Sequence, residues 1–106
     1  MNAARVEQLR KFLSENPNDA FVIYALATEY VTAGDDTTAL DFFKRIVALD
    51  PDYTGVYYHL GKLYERNGER ILAEETYAEG LKRTLGKDAH EHGELQEAMN
   101  QLLYEE

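Results

Sequence analysis

The chain has 106 residues, 44% of them hydrophobic, and its 20 acidic side chains against 11 basic ones leave a formal net charge of −9. That length suits a single domain, the apolar share suits a packed core rather than a disordered chain, and the acidic balance disfavours duplex DNA and anionic membrane surfaces as partners. With no cysteine, a disulfide framework, a thiolate metal site and a catalytic thiol are excluded.

Six helices and no strands are expected, in this order. Residues Ala3 to about Glu15 place Val6, Leu9, Phe12 and Leu13 on one stripe. A second helix begins after Asn16-Pro17-Asn18, with Asn18 as its cap. It carries Val22, Ile23, Leu26, Ala27, Tyr30 and Val31 at helical spacing and stops at Ala33-Gly34. A third starts near Asp35-Asp36, acids suited to a helix N-terminus, presents Ala39, Leu40, Phe42, Phe43, Ile46, Val47 and Leu49, and ends at Asp50-Pro51. A fourth starts after Asp52, presents Val56, Tyr57, Leu60, Leu63 and Tyr64, and closes at Asn67-Gly68. A fifth presents Ile71, Leu72, Ala73, Tyr77 and Leu81 up to Gly86. Asp88-Ala89-His90-Glu91 reads as a capping box, and Leu95, Ala98, Met99, Leu102 and Leu103 form the stripe of a last helix.

Pro17 and Pro51 stand 34 residues apart, and the segments leading away from them repeat in register. Leu26, Ala27, Tyr30, Gly34, Ala39 and Phe43 are matched 34 places on by Leu60, Gly61, Tyr64, Gly68, Ala73 and Tyr77. Leu9, Phe12 and Leu13 likewise precede Phe43, Ile46 and Val47 by 34, so the first helix holds the place of a second helix from a truncated preceding unit. A fixed period of this length marks a stacked repeat of two-helix units, each unable to bury its apolar face alone.

These residues resemble the tetratricopeptide repeat pattern of a large apolar residue, Leu-Gly, Tyr, Gly, Ala, an aromatic, a small residue and Pro. The resemblance implies an all-α fold of antiparallel helix-turn-helix repeats stacked as a short right-handed α-solenoid. It also implies one domain over 1–106: an N-terminal half-repeat helix (1–17), repeat 1 (18–51), repeat 2 (52–87) and a C-terminal capping helix (88–106). Ala27, Gly61, Ala39 and Ala73 are then the small residues that let helices approach. A large side chain at Ala39 or Ala73 is expected to overpack the hairpin at a cost of ~1–3 kcal/mol. The chain departs from the pattern at Thr84-Leu85-Gly86, where Asp-Pro is common, at Ile46 in place of alanine and at Ile23 in place of tryptophan.

The family binds extended peptides along the concave face lined by the first helix of each repeat. Carried to this sequence, that face holds Phe21, Tyr24, Thr28 and Val31 from repeat 1, and Gly55, Tyr58, His59, Lys62, Glu65 and Arg66 from repeat 2. An aromatic floor with mixed charge suits an extended peptide with apolar anchors. The subfamily that clamps chaperone C-terminal carboxylates uses Lys and Asn, then Asn, then Lys and Arg. The matching places here hold Tyr24 and Thr28, then His59, then Ala89 and Gly93 (or His90 and Glu94 one residue on), so tight binding of chaperone tails is not expected.

No catalytic or cofactor motif emerges. His90 and His92 are two apart and diverge on a helix, which makes a poor metal pair beside Glu91 and Glu94. Glu74-Glu75 reads as a solvated face, and Leu85-Gly86-Lys87 lacks the rest of a phosphate loop. Lys and Arg form no basic stripe. The expected function is a non-enzymatic scaffold for a protein or peptide, with no cofactor, metal, nucleic acid or membrane. The alternative is a homo-oligomeric module, such as a weak homodimer, using exposed terminal helices around Leu102-Leu103-Tyr104. Without a signal-like N-terminus or a spanning segment, a cytoplasmic location is expected. The acidic surface is read first as solubility, then as a match to high salt or a basic partner.

Overall fold

Side-chain caps at Asn2, Asp19, Asp35 and Asp88, and left-handed glycines at Gly34, Gly68 and Gly86, mark most of the helix ends. In the computed structural model, which describes residues 1–104, six helices and no strand are found among the described residues. They are α1 (Ala3–Glu15), α2 (Ala20–Ala33), α3 (Asp36–Leu49), α4 (Val56–Arg66), α5 (Arg70–Thr84) and α6 (Ala89–Tyr104). The chain divides into two compact units, Met1–Tyr53 with α1 to α3 and Thr54–Glu106 with α4 to α6.

The turn inside each repeat has one chemistry. After α2, Gly34 takes the left-handed conformation at φ 79°, its N–H donates to the Val31 carbonyl, and the Asp35 N–H reaches back to that of Tyr30. After α4, Gly68 at φ 77° repeats this with Glu65 and Tyr64. These are paired 5→2 and 6→1 bonds of a Schellman end, and a Cβ at either glycine would be strained. Asp35 then caps α3 by accepting from the Thr38 N–H at 3.2 Å.

Two starts differ from expectation. Asp19, not Asn18, caps α2, accepting from the Val22 N–H at 3.2 Å. The side chain three residues before the donating N–H is the one in reach, and that is Asp19. Helix α4 begins at Val56 rather than just after Asp52, because Asp50 to Gly55 are spent on turns that bring Tyr53 inward and leave Gly55 as a cap without a side-chain bond. Asp88 does cap α6, receiving the Glu91 N–H at 3.1 Å. It also accepts the Thr54 hydroxyl at 2.7 Å, and these bonds, the hydroxyl's first, hold its carboxyl below the usual range.

The core of the first unit is Val22, Ile23, Leu26, Ala27, Ala39, Phe43 and Ile46, with Val6 and Leu13 from α1. That of the second is Val56, Tyr57, Leu60, Leu63, Ala73 and Tyr77, closed by Leu95, Ala98 and Leu102 from α6. Gly61 and Gly80 are points of closest approach. Tyr77 lies on the backbone at Gly61, and Tyr57 and Leu95 lie on that at Gly80. The apolar stripes are narrower than expected: Phe12, Leu49, Ile71, Leu72 and Leu103 face solvent, because neighbours cover only part of each apolar face.

Thr84 is the one buried polar side chain among the described residues. Its hydroxyl lies 2.9 Å from the Gly80 carbonyl and 2.8 Å from Nδ1 of His92, so α5 and α6 are tied by a satisfied polar contact.

Candidate functional site

The expected site residues fall on α2 in the first unit and on α4 in the second. On α2, Tyr24 is half-buried. Its ring meets Phe43 edge-on at 6.0 Å and Tyr53 at 5.7 Å, so part of its area already serves its own unit. Thr28 donates to the Ala25 carbonyl at 2.9 Å, and Val31 is half-buried. Phe21 is 71% exposed. It turns toward α1, lining an apolar crevice of about 460 Å³ with Arg5, Gln8, Leu9, Phe12, Asp19 and Val22. The structure therefore separates Phe21 from Tyr24, although the repeat register groups them.

On α4 the expected side chains form a connected surface. Lys62 Nζ stands 5.6 Å above the Tyr58 ring and 3.6 Å from Glu65 Oε2. The Tyr58 ring meets His59 edge-on at 5.6 Å. Tyr77, reaching across from α5, donates its hydroxyl to the Glu65 carboxylate. Burial first, and then that bond and the Glu65 charge, push the Tyr77 phenol far above its ordinary value of 10.0. Arg66 is exposed at the end of the helix, and Gly55 lies at its start. A cation held over an aromatic ring beside a hydrogen-bonded carboxylate leaves these side chains little rotamer freedom to lose in any contact they make.

Burial lowers the His59 imidazole below its ordinary value of 6.5. Folding thus favours the neutral ring, so its contribution is present above pH 6.5 and is lost as pH falls through the folded-state value. Thermal melts taken on both sides of that window are expected to show a larger acid loss in the native chain than in His59→Asn. Equal losses would remove His59 as the cause.

Three supporting residues had no distinct signal in the sequence. Tyr77 was legible as core, but its bond to Glu65 was not. Tyr53 sits in a turn, where periodicity says nothing. Desolvation, followed by the charges of Asp19 and Asp50, raises its phenol. Arg10 stacks its guanidinium 5.4 Å from the Tyr30 ring and 5.8 Å from that of Phe42, donating to the Tyr30 hydroxyl at 3.1 Å. The crevice had no signal in the sequence, where Phe12 reads as part of an apolar stripe. Among the described residues no group of three His, Cys, Asp or Glu could hold a metal ion, and no helix is long and apolar enough to cross a membrane.

Comparison with known proteins bears on the fold. A family model described as Tetratricopeptide repeat matches residues 54–84. A TPR repeat-containing protein of Pseudomonas aeruginosa is 30% identical over 76 residues, 72% of this chain and 72% of that protein. The crystal structure of a tetratricopeptide repeat domain protein from Salinibacter ruber is similar at TM-score 0.80 and 40% identity, covering 83% of this chain and 99% of that one. The first TPR of Spaghetti, solved bound to an HSP90 peptide, has TM-score 0.79 at 16% identity, over 92% of this chain and 74% of that one. At that identity the likeness is one of fold alone.

Proposed function

Because this chain belongs to the tetratricopeptide repeat family, we propose that it is a protein-interaction scaffold whose first-helix faces take an extended peptide with apolar anchors. The observation that carries the reading is the α4 surface, where Lys62 lies over Tyr58 and Tyr77 holds Glu65. Such a surface offers a partner one aromatic platform and one charge of each sign in fixed positions. Flat aromatic area costs little entropy to engage, and the fixed charges select register along the peptide. Within the first unit, Tyr24, Thr28 and Val31 on α2 form by themselves a nearly uncharged stretch suited to apolar side chains. The partner's identity is not written in these residues, only its chemistry. A scaffold role without catalysis and a cytoplasmic setting are part of the same proposal.

Tyr58→Ala is the cleaner test, because Tyr24 also packs on Phe43 and Tyr53. Panning a displayed library of extended peptides on the native chain is expected to enrich sequences with aromatic or aliphatic anchors. Tyr58→Ala is expected to lose about tenfold or more in affinity for them, equivalent to ~1.4 kcal/mol, with its helical circular dichroism unchanged. Equal affinity in the two chains would remove α4 from the site. A chaperone C-terminal peptide serves as the control. With Tyr24, Thr28 and His59 in the clamp positions, binding no tighter than micromolar is expected, and a sub-micromolar titration would refute the assignment.

A further inference from the structure

The turn between α4 and α5 carries the one Asn-Gly pair of the chain: of five asparagines, only Asn67 precedes a glycine. Glycine has no side chain to shield its backbone nitrogen, and an asparagine before it presents an amide carbon that this nitrogen reaches by closing a five-membered ring. Both residues are exposed, so solvent base has access to the Gly68 N–H. The turn between α2 and α3 has Ala33 before Gly34, with the same left-handed glycine and the same paired backbone bonds. Such a turn therefore closes without an asparagine, and the Asn67 amide is a chemical addition to it.

The closed turn holds the reacting atoms apart. The Gly68 N–H donates to the Glu65 carbonyl at 3.0 Å, and the Glu69 N–H to that of Tyr64 at 2.8 Å. A ψ of 9° at Asn67 places the Gly68 nitrogen almost in line with the backbone nitrogen of Asn67 itself. The Cβ branch, set off from that nitrogen by tetrahedral geometry, then points well away from the Gly68 nitrogen that must meet its amide carbon. Attack needs the Gly68 N–H released and Asn67 rotated about its Cα–C bond, and both follow only when the paired bonds break.

We propose that Asn67 is a modification site gated by opening of this turn, where attack by Gly68 converts it to aspartate and isoaspartate. Base removes the Gly68 amide proton, and the electron pair of that nitrogen forms a bond to Cγ of Asn67. The bond from Cγ to the side-chain nitrogen breaks, and that nitrogen takes up a proton and leaves as ammonia. Water then opens the succinimide at either carbonyl, which gives a carboxylate side chain on the normal backbone or a backbone routed through Cβ. Water and base are the only reagents needed. The products do not close the turn as before. The new charge sits at the negative end of the α4 dipole. The isoaspartate form also adds one carbon to the backbone inside the turn, so the 5→2 and 6→1 bonds lose their register. The reaction is thus slow while the turn is closed and self-locking once it has occurred. It involves neither Tyr58 nor a ligand, so it stands or falls apart from the peptide-binding reading.

Incubation of the 106-residue chain in warm, mildly alkaline buffer, with and without denaturing urea, tests this by peptide mapping in a mass spectrometer with isoaspartate resolved chromatographically. In urea, residue 67 is expected to gain the mass of an amide-to-acid exchange before Asn2, Asn16, Asn18 or Asn100 does. In buffer the same products are expected at residue 67, formed roughly tenfold or more slowly, because two backbone hydrogen bonds hold the turn. Asn67→Ala, which copies Ala33, is expected to keep its melting temperature through the incubation, while the modified fraction of the native chain melts roughly 5 °C lower. Equal rates in buffer and urea, another asparagine reacting first in urea, no product at residue 67 in buffer, or a modified chain that melts like the fresh one would each overturn the proposal.

Discussion

Gly61→Ala is expected to unfold the chain about 10 °C earlier, where the same change at Gly93 raises or leaves unchanged the melting temperature. Ordinarily alanine in a helix is better than glycine by about 1 kcal/mol. At Gly61 the new Cβ would press on Cε1 of Tyr77 and lie 2.6 Å from Cδ1 and 2.7 Å from Cζ. Tyr77 has no exposed surface to retreat into, and its hydroxyl is engaged by Glu65, so the ring cannot swing aside as a flexible chain end would. Overpacking of this kind costs about 1–3 kcal/mol, and the upper part of that range exceeds the propensity gain. A net loss of about 2 kcal/mol lowers the melting temperature of a domain this size by roughly 10 °C. Gly93, inside α6 with nothing within 4 Å of its would-be Cβ, has the propensity gain without the clash. Thermal unfolding followed by circular dichroism reads both. A Gly61→Ala melt at or above the native one would mean that α4 and α5 do not approach as closely as described.

The second large effect is expected from Tyr77→Phe, which keeps the ring and removes the hydroxyl that Glu65 accepts. A hydrogen bond to a charged group is worth about 1.5–3 kcal/mol. Glu65 retains Lys62 at 3.6 Å and 22% side-chain exposure, so the lower end, about 1.5 kcal/mol, is expected at neutral pH. The pH dependence has a definite sign. The folded-state phenol is raised above 10.0, so its contribution is complete below pH 10.0 and drains away as alkali ionises the unfolded tyrosine first. The native chain is therefore expected to lose more stability between about pH 8 and pH 11 than Tyr77→Phe does, and the two curves converge. Tyr53, also raised, is common to both and cancels in the comparison. Parallel curves would show that Tyr77 does not hold its proton for Glu65.

Both effects bear on the proposed α4 surface. Tyr77 fills the space left by Gly61 and from there holds Glu65, which in turn neighbours Lys62 above Tyr58. One packing choice inside the repeat thus orients three side chains on its outer face. Tyr77→Phe is expected to loosen the α4 surface before it melts the fold.

Helix number, helix order and the identity of the small and large core residues came from the chain itself. The 34-residue period gives Ala27 and Phe43 the same 16-residue separation as Gly61 and Tyr77, which meet in the structure, and Gly34 and Gly68 end helices by backbone chemistry that is purely local. The candidate face was legible only as a register. Which side chains on it touch was decided by contacts between elements far apart in sequence: Tyr24 against Tyr53, Glu65 beneath Tyr77, Phe21 turned toward Phe12. Periodicity reports which side of a helix a residue occupies. It carries no record of how far a neighbouring helix covers that side, and so Phe12, Ile71 and Leu103, apolar and in phase, are left exposed by the packing.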